Sequence, residues 1–389
     1  MKPIYLDYHA TTPCDPRVVD KMSPYFSERF GNASSGHIYG QEASKAVEEA
    51  REQVASLIGA SPREIIFTSG ATESNNMAIF GIARAYRDRG NHIVTSPTEH
   101  RSVLDPCKAL QRDGFDVTFV KVDRHGRVDP EEVRRAITDQ TILISLMFVN
   151  NEIGTLHPIA EIGKIAQEKR VIFHCDAVQA AGKVPVGLKS TAIDLLSLSA
   201  HKMYGPKGAG ALFLRQKSPR IRIPSMMLGA GQEKGLRSGT INVSGIVGFG
   251  EACALTKKEF EGEVTRLRAL RDRLKDGIFA NLDGVTLNGH PTERAPNNLH
   301  LSFGGIDGRV LLESLVDVAV SAGAACTSTS VEPSHVLKAI GVNDELAAAS
   351  LRFSVGRFTI EGEIDRAVEI VCRTVKALRA KNLAARTAA

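Results

Sequence analysis

A chain of 389 residues, 43% hydrophobic and 24% charged, carries enough apolar content for two domains and a substantial core, which excludes a mainly disordered polymer. Its net charge of +5 suits an anionic cofactor or an acidic partner but is too modest for this length to argue direct nucleic-acid binding. No apolar stretch approaches the ~20 residues that span a bilayer, and Met1-Lys-Pro-Ile-Tyr-Leu-Asp7 lacks the apolar run of a signal peptide, so no membrane role and a cytoplasmic location are expected.

From about residue 40 to 215 helical and extended runs alternate. Helices are expected over 41–58, 74–89, 102–112 and 159–169, with another starting at Pro130. Strands are expected at 64–68, 92–95, 117–120, 141–146, 171–173 and 194–199. Short apolar runs of this kind read as buried parallel strands, so the pattern predicts an α/β unit with a mainly parallel sheet covered on both faces. Beyond residue 215 a loop rich in Gly, Met and basic residues (226–240) leads into a long helix over 243–280, then strands near 299–303 and 350–355. The expected organisation is an N-terminal segment (1–40) packing with the small domain, a large α/β domain (41–245), a connecting helix (246–280) and a smaller α+β domain (281–389). Six cysteines, at 14, 107, 175, 253, 326 and 372, form no CxxC pair, so neither a disulfide framework nor a zinc cluster is expected. The eleven histidines never pair at ligand spacing with acidic or thiol residues, and no metal site is expected.

Chemistry concentrates just past the strands, where open α/β sheets bind ligands. Lys202 in Ser199-Ala-His-Lys202 and Asp176 in His174-Cys-Asp-Ala-Val-Gln179 supply an amine and a carboxylate from two neighbouring runs. These are what pyridoxal phosphate needs: a Schiff-base lysine and an acid facing the ring nitrogen. A buried Asp176 without a cation is costly, and a pyridinium answers it. Gln179, three residues on, can reach the ring oxygen substituent. In Thr68-Ser-Gly-Ala-Thr-Glu-Ser74, Gly70, Ala71 and Thr72 can bring backbone N–H groups to a phosphate at a helix start; the alternative is an ordinary N-cap by Ser69 or Thr72. His100, at the end of a strand, can stack on a ring and shuttle protons, or be structural. Asn150 and Asn151 can bond the neighbouring loop backbone or the cofactor's phenolic oxygen. Cys326 sits among small polar residues in 320–330, a composition that reads as an exposed loop with an accessible thiol. Most of the other cysteines lie in apolar patterns as core filler, and Cys14 has no assigned role.

Taken in order, Tyr5-Leu-Asp-Tyr-His-Ala-Thr-Thr-Pro13, Phe30-Gly-Asn-Ala-Ser-Ser35, Thr68–Ser74, Thr98-Glu-His100, Val149-Asn-Asn-Glu-Ile-Gly154, His174–Gln179, Ser199–Gly208, Arg237-Ser-Gly-Thr240, the Cys326 loop and Leu351-Arg-Phe-Ser354 resemble the cysteine desulfurases of the NifS/IscS kind. These are pyridoxal-phosphate enzymes of fold type I, in the class V aminotransferase group. The resemblance implies a seven-stranded-type, mainly parallel sheet with a smaller α+β domain. It implies Lys202 as the Schiff-base residue, Asp176 at the ring nitrogen, Gln179 at the ring oxygen, and His100 stacked on the ring. Ala71, Thr72, Ser199 and His201 would hold the phosphate, with Thr240 reaching the partner subunit's phosphate in a homodimer. Asn32, Asn151 and Arg352 would bind the carboxylate of L-cysteine, and Cys326 would take the sulfur as a persulfide for a sulfur-acceptor protein, either a scaffold or a thiolation enzyme. The Cys326 segment is similar to the long-loop group of the family. The chain departs from the family pattern at His9, where Asn or Ser is usual, and at Ala33, where Pro is common. It closes on Lys381-Asn-Leu-Ala-Ala-Arg-Thr-Ala-Ala389 without the extended tail of the housekeeping enzymes. That points toward a specialised acceptor, in iron–sulfur assembly, tRNA thiolation or DNA phosphorothioation. The competing readings are a selenocysteine lyase or related lyase with the same cofactor residues, and a sulfur-carrier scaffold without catalysis.

Overall fold

The computed structural model describes residues 2–322 and 334–387. Twelve strands are formed among them: β1 (Ile4–Tyr5), β2 (Ile65–Thr68), β3 (His92–Thr95), β4 (Asp116–Phe119), β5 (Thr141–Ser145), β6 (Ile172–Asp176), β7 (Leu195–Ser199), β8 (Gly210–Leu214), β9 (Val285–Asn288), β10 (Asn298–Phe303), β11 (Val318–Ala319) and β12 (Ser350–Ser354). Seven of them make one sheet in the order β2-β8-β7-β6-β5-β3-β4. The continuous apolar runs β3, β5, β6 and β7 are buried along their whole length and pair in parallel. Helices cover both faces of such a sheet, so neither face of a strand meets water.

In this sheet the strand not anticipated is β8. It runs antiparallel to both of its neighbours, β2 and β7. The connection from Ser199 to Gly210 is too short for a crossover helix, and a short connection returns the chain antiparallel. This return brings Gly210 opposite both Ser199 and Thr68, so three strand ends meet at one edge.

A second sheet, β12-β10-β9, is antiparallel throughout. Its core joins Leu299, Leu301, Phe303, Leu351 and Phe353 to Leu267, Leu270 and Leu274 of the helix Val243–Asn281 and to Val371 and Val375 of the helix Glu361–Thr387. The helix expected over 243–280 thus spans Val243–Asn281, its buried leucines at helical spacing. The chain's beginning lies with this layer: β1 pairs with β11, and Leu6 belongs to the same core. Residues 12–15 then cross to the large sheet, where the Thr12 and Asp15 amides donate to the carbonyls of His201 (3.0 Å) and Tyr204 (2.9 Å). Among the described residues no helix is long and apolar enough to cross a membrane.

Phe353 is fully buried in the second core. Phe353→Ala is expected to cost about 3–5 kcal/mol, read by urea unfolding; a loss under about 1 kcal/mol would show that this core closes over the gap.

Candidate active site at the carboxyl ends of β6 and β7

β6 ends on Asp176, and β7 runs into a single 3₁₀ turn, Ala200–Lys202. The strands are adjacent and parallel, with Asp176 opposite Ser197, so the carboxylate and the amine emerge at one sheet edge. Lys202 Nζ donates to the main-chain carbonyls of His9 (2.5 Å) and Ala10 (2.6 Å). Gln179 Nε2 donates to the same His9 carbonyl (3.0 Å). The N-terminal segment is therefore the floor on which both side chains rest. Asp176 is buried; Oδ1 accepts the Val178 amide (3.0 Å) and Oδ2 accepts Asn75 Nδ2 (2.8 Å). No ion pair to it forms among the described residues. A carboxylate so placed fits a protonated ring nitrogen.

The helix Ala71–Tyr86 starts beside this edge. Gly70 is its N-cap, with φ 153°, and no side chain caps it; neither Ser69 nor Thr72 takes the capping role that was the alternative to anion binding. The first-turn N–H groups of a sixteen-residue helix thus remain for an anion. A Cβ on Gly210 would stand 2.6 Å from Gly70 Cα, so the close approach of helix start and β8 requires glycine. Ser199 lies opposite Gly210, and His201 Nδ1 contacts Thr11 Oγ1 (3.1 Å). Burial, then the Lys202 and Lys207 charges, push the His201 pKa down to about 4, leaving the ring neutral. Main-chain donors, a neutral imidazole, a lysine and a buried acid are a donor set that fits pyridoxal phosphate.

Three expectations need correction or refinement. His100 does not end a strand: β3 closes at Thr95, and His100 N-caps the helix Arg101–Arg112, its Nδ1 accepting the Ser102 amide (3.1 Å). Arg352, on β12, is 3% exposed and already engaged, with Nη2 on Asp7 Oδ1 (2.9 Å) and Nη1 on the Asn151 carbonyl (3.1 Å). Of the two amides, Asn150 does the backbone work, its Oδ1 accepting the amides of Glu152 and Ile153. Asn32 and Thr240 are exposed, and Asn32 Oδ1 accepts the Ser34 amide (3.0 Å). Cys326 lies outside the described residues.

Sequence reasoning missed Asp7 as the Arg352 partner, and Lys183, whose buried Nζ donates to the Lys202 carbonyl (3.0 Å). Burial pushes the Lys183 pKa down to about 8. Both pairings join residues far apart in the chain, and no local spacing signals them. His9 appeared only as a departure from the family pattern. It is buried, with Nε2 on Asn297 Oδ1 (3.2 Å) and Nδ1 on Asn298 Nδ2 (3.3 Å), and burial, then Arg352, push its pKa down to about 3.

The Aminotransferase class-V family model matches residues 4–367. Cysteine desulfurase IscS of Anaeromyxobacter sp. (strain Fw109-5) is 54% identical over 378 residues, which covers 97% of this chain and 93% of that protein. A solved NifS-like protein superposes with a TM-score of 0.90 at 36% identity, covering 97% of this chain and all of that one. A structure of SspA in complex with cysteine gives 0.82 at 37% identity, over 92% of this chain and all of that one. Fold and relatives agree on a pyridoxal-phosphate enzyme of fold type I. The chain belongs to the class-V aminotransferase family and, within it, to the cysteine desulfurases.

Among the histidines whose pKa is depressed, His9 and His300 lie at about 3 and His157, His174 and His201 at about 4, and burial lowers His92 and His335 as well. Their unfolded value is about 6.5. A depressed folded pKa contributes stability that is present above pH 6.5 and lost as the pH falls toward 3–4. Glu152, raised to about 7 by burial, and Glu99, also raised by burial, work in the opposite sense but are two carboxyls against this larger set of histidines. The melting temperature is expected to fall steadily from about pH 6.5 to pH 4; a flat profile across that window would contradict the neutral assignment of these rings.

Proposed function

We propose that this desulfurase divides the reaction of L-cysteine among the residues at the β6–β7 edge and the thiol of Cys326. The observation that carries the reading is the delivery of Lys202 and of a buried Asp176, with no ion pair to it among the described residues, to one edge of the sheet. Bound pyridoxal phosphate supplies an electron sink for the substrate α-carbon. Lys202 holds the cofactor and, once released, moves the α-proton. Asp176 faces the ring nitrogen, and Gln179 and the Asn151 amide serve the ring oxygen. His100 stacks on the ring and assists proton transfer. The amides at Ala71 and Thr72, with Ser199 and His201, hold the phosphate. Thr240 reaches the partner subunit's phosphate in a homodimer; its exposure, and that of Met227 and Leu228 in the same loop, supports that reading.

Arg352 takes the substrate carboxylate with Asn32 and Asn151, exchanging one carboxylate, that of Asp7, for another. The Cys326 thiolate attacks the substrate sulfur: an S–S bond forms, the carbon–sulfur bond breaks, and its electron pair stays with the carbon skeleton. That skeleton takes up protons and leaves as L-alanine, while the persulfide on Cys326 passes to an acceptor. We place the acceptor among iron–sulfur scaffolds, tRNA-thiolation enzymes or DNA phosphorothioation systems, and the enzyme in the cytoplasm.

The test is alanine formation from L-cysteine with a reductant present. Lys202→Ala is expected to reduce it to background. Cys326→Ser is expected to retain the cofactor's spectral response to L-cysteine while forming neither persulfide nor alanine. Alanine at the wild-type rate from Cys326→Ser would overturn the thiol's role and favour a lyase.

A further inference from the structure

Between Asp176 and His100 runs a chain of polar side chains with no role in the reaction as described above. Asn75, in the first turns of the helix Ala71–Tyr86, is fully buried. Its Nδ2 donates to Asp176 Oδ2 (2.8 Å) and to Ser102 Oγ (2.8 Å), which uses both amide hydrogens. Ser102 Oγ lies 2.8 Å from His100 Nδ1, and the Ser102 backbone N–H donates to that same nitrogen (3.1 Å). A ring nitrogen that accepts a backbone N–H carries no hydrogen of its own. The hydroxyl must therefore be the donor in the Ser102–His100 contact, while its oxygen accepts from Asn75. Starting from the one amide, every donor in the chain has a single possible direction.

We propose that Asn75 and Ser102 are positioning residues that hold His100 as the neutral ring with its hydrogen on Nε2, and that tie the ring's orientation to the Asp176 carboxylate. The inference rests on the roles given above to Asp176 and His100. It deepens them by assigning a direction: His100 presents an N–H donor, and a proton on Nδ1 would have to expel two hydrogen bonds. Asn75 Oδ1 is buried without a hydrogen-bond partner among the described residues, so the amide is held in place through its donors. Replacing the NH2 by a second oxygen would leave Asp176 and Ser102 without their common donor and set two carboxylates side by side.

The experiment uses the full-length protein with ¹⁵N-labelled histidine, before and after addition of pyridoxal phosphate, with the His100 signals identified by their loss in His100→Gln. Expected are a pyridine-type Nδ1 and a pyrrole-type Nε2. In Ser102→Ala the Nδ1 resonance moves toward the position of an unbonded nitrogen, and Ser102→Thr, which keeps the hydroxyl, restores it. Asn75→Asp reproduces the move and also alters the absorbance of the bound cofactor, which Ser102→Ala leaves alone. With one neutral hydrogen bond lost, Ser102→Ala should lower kcat about ten-fold with KM within about two-fold. A pyrrole-type Nδ1 in the wild type, or an Nδ1 signal unmoved in Ser102→Ala, would overturn the proposal. The predicted Nδ1 shift with unchanged turnover would keep the relay and remove His100 from the reaction.

Discussion

A carboxylate buried at the end of a parallel strand, with no ion pair among the described residues, leans on its hydrogen bonds. Asp176 meets that constraint with one backbone amide and one Asn75 hydrogen, and much of the site follows from it. Asn75 can serve Asp176 only because the helix Ala71–Tyr86 begins beside the sheet edge, and that start depends on the close approach of Gly70 and Gly210. The same helix start leaves its first amides for a phosphate. One packing arrangement therefore positions the helix start proposed for the phosphate, the acid proposed for the ring nitrogen and, through Ser102, the histidine.

Charge in the second layer obeys a related rule. Arg352 is buried and always ionised, and its charge weighs against further positive charge on the histidines around it. His9 and His300 are kept neutral by burial and by Arg352 itself. Asp7 supplies the opposite charge at 2.9 Å, and also accepts the Ser321 hydroxyl (2.7 Å). A substrate carboxylate that takes over Arg352 would enter a site already shaped for one anion, which lowers the cost of binding it.

Much of this was legible in the sequence because buried parallel strands are continuous apolar runs with chemistry just past them. β3, β5 and β7, and the residues Asp176, Gln179 and Lys202, follow from that pattern. β8 escaped because Gly210-Ala-Leu-Phe-Leu214 follows a glycine-rich turn with no helix to mark a new strand. His100 was placed at a strand end because capping by a histidine ring has no strong spacing signature. Asp7 and Asn75 meet Arg352 and Asp176 across large gaps in the chain, and only the fold brings them together.

The central claim is that Lys202, whose Nζ rests on the His9 and Ala10 carbonyls, is the residue that holds pyridoxal phosphate. Borohydride reduction of the cofactor-loaded protein, followed by peptide mapping, reads this directly. A pyridoxyl group on Lys202 alone is the predicted result. The label on Lys183 or Lys207 instead would contradict the account.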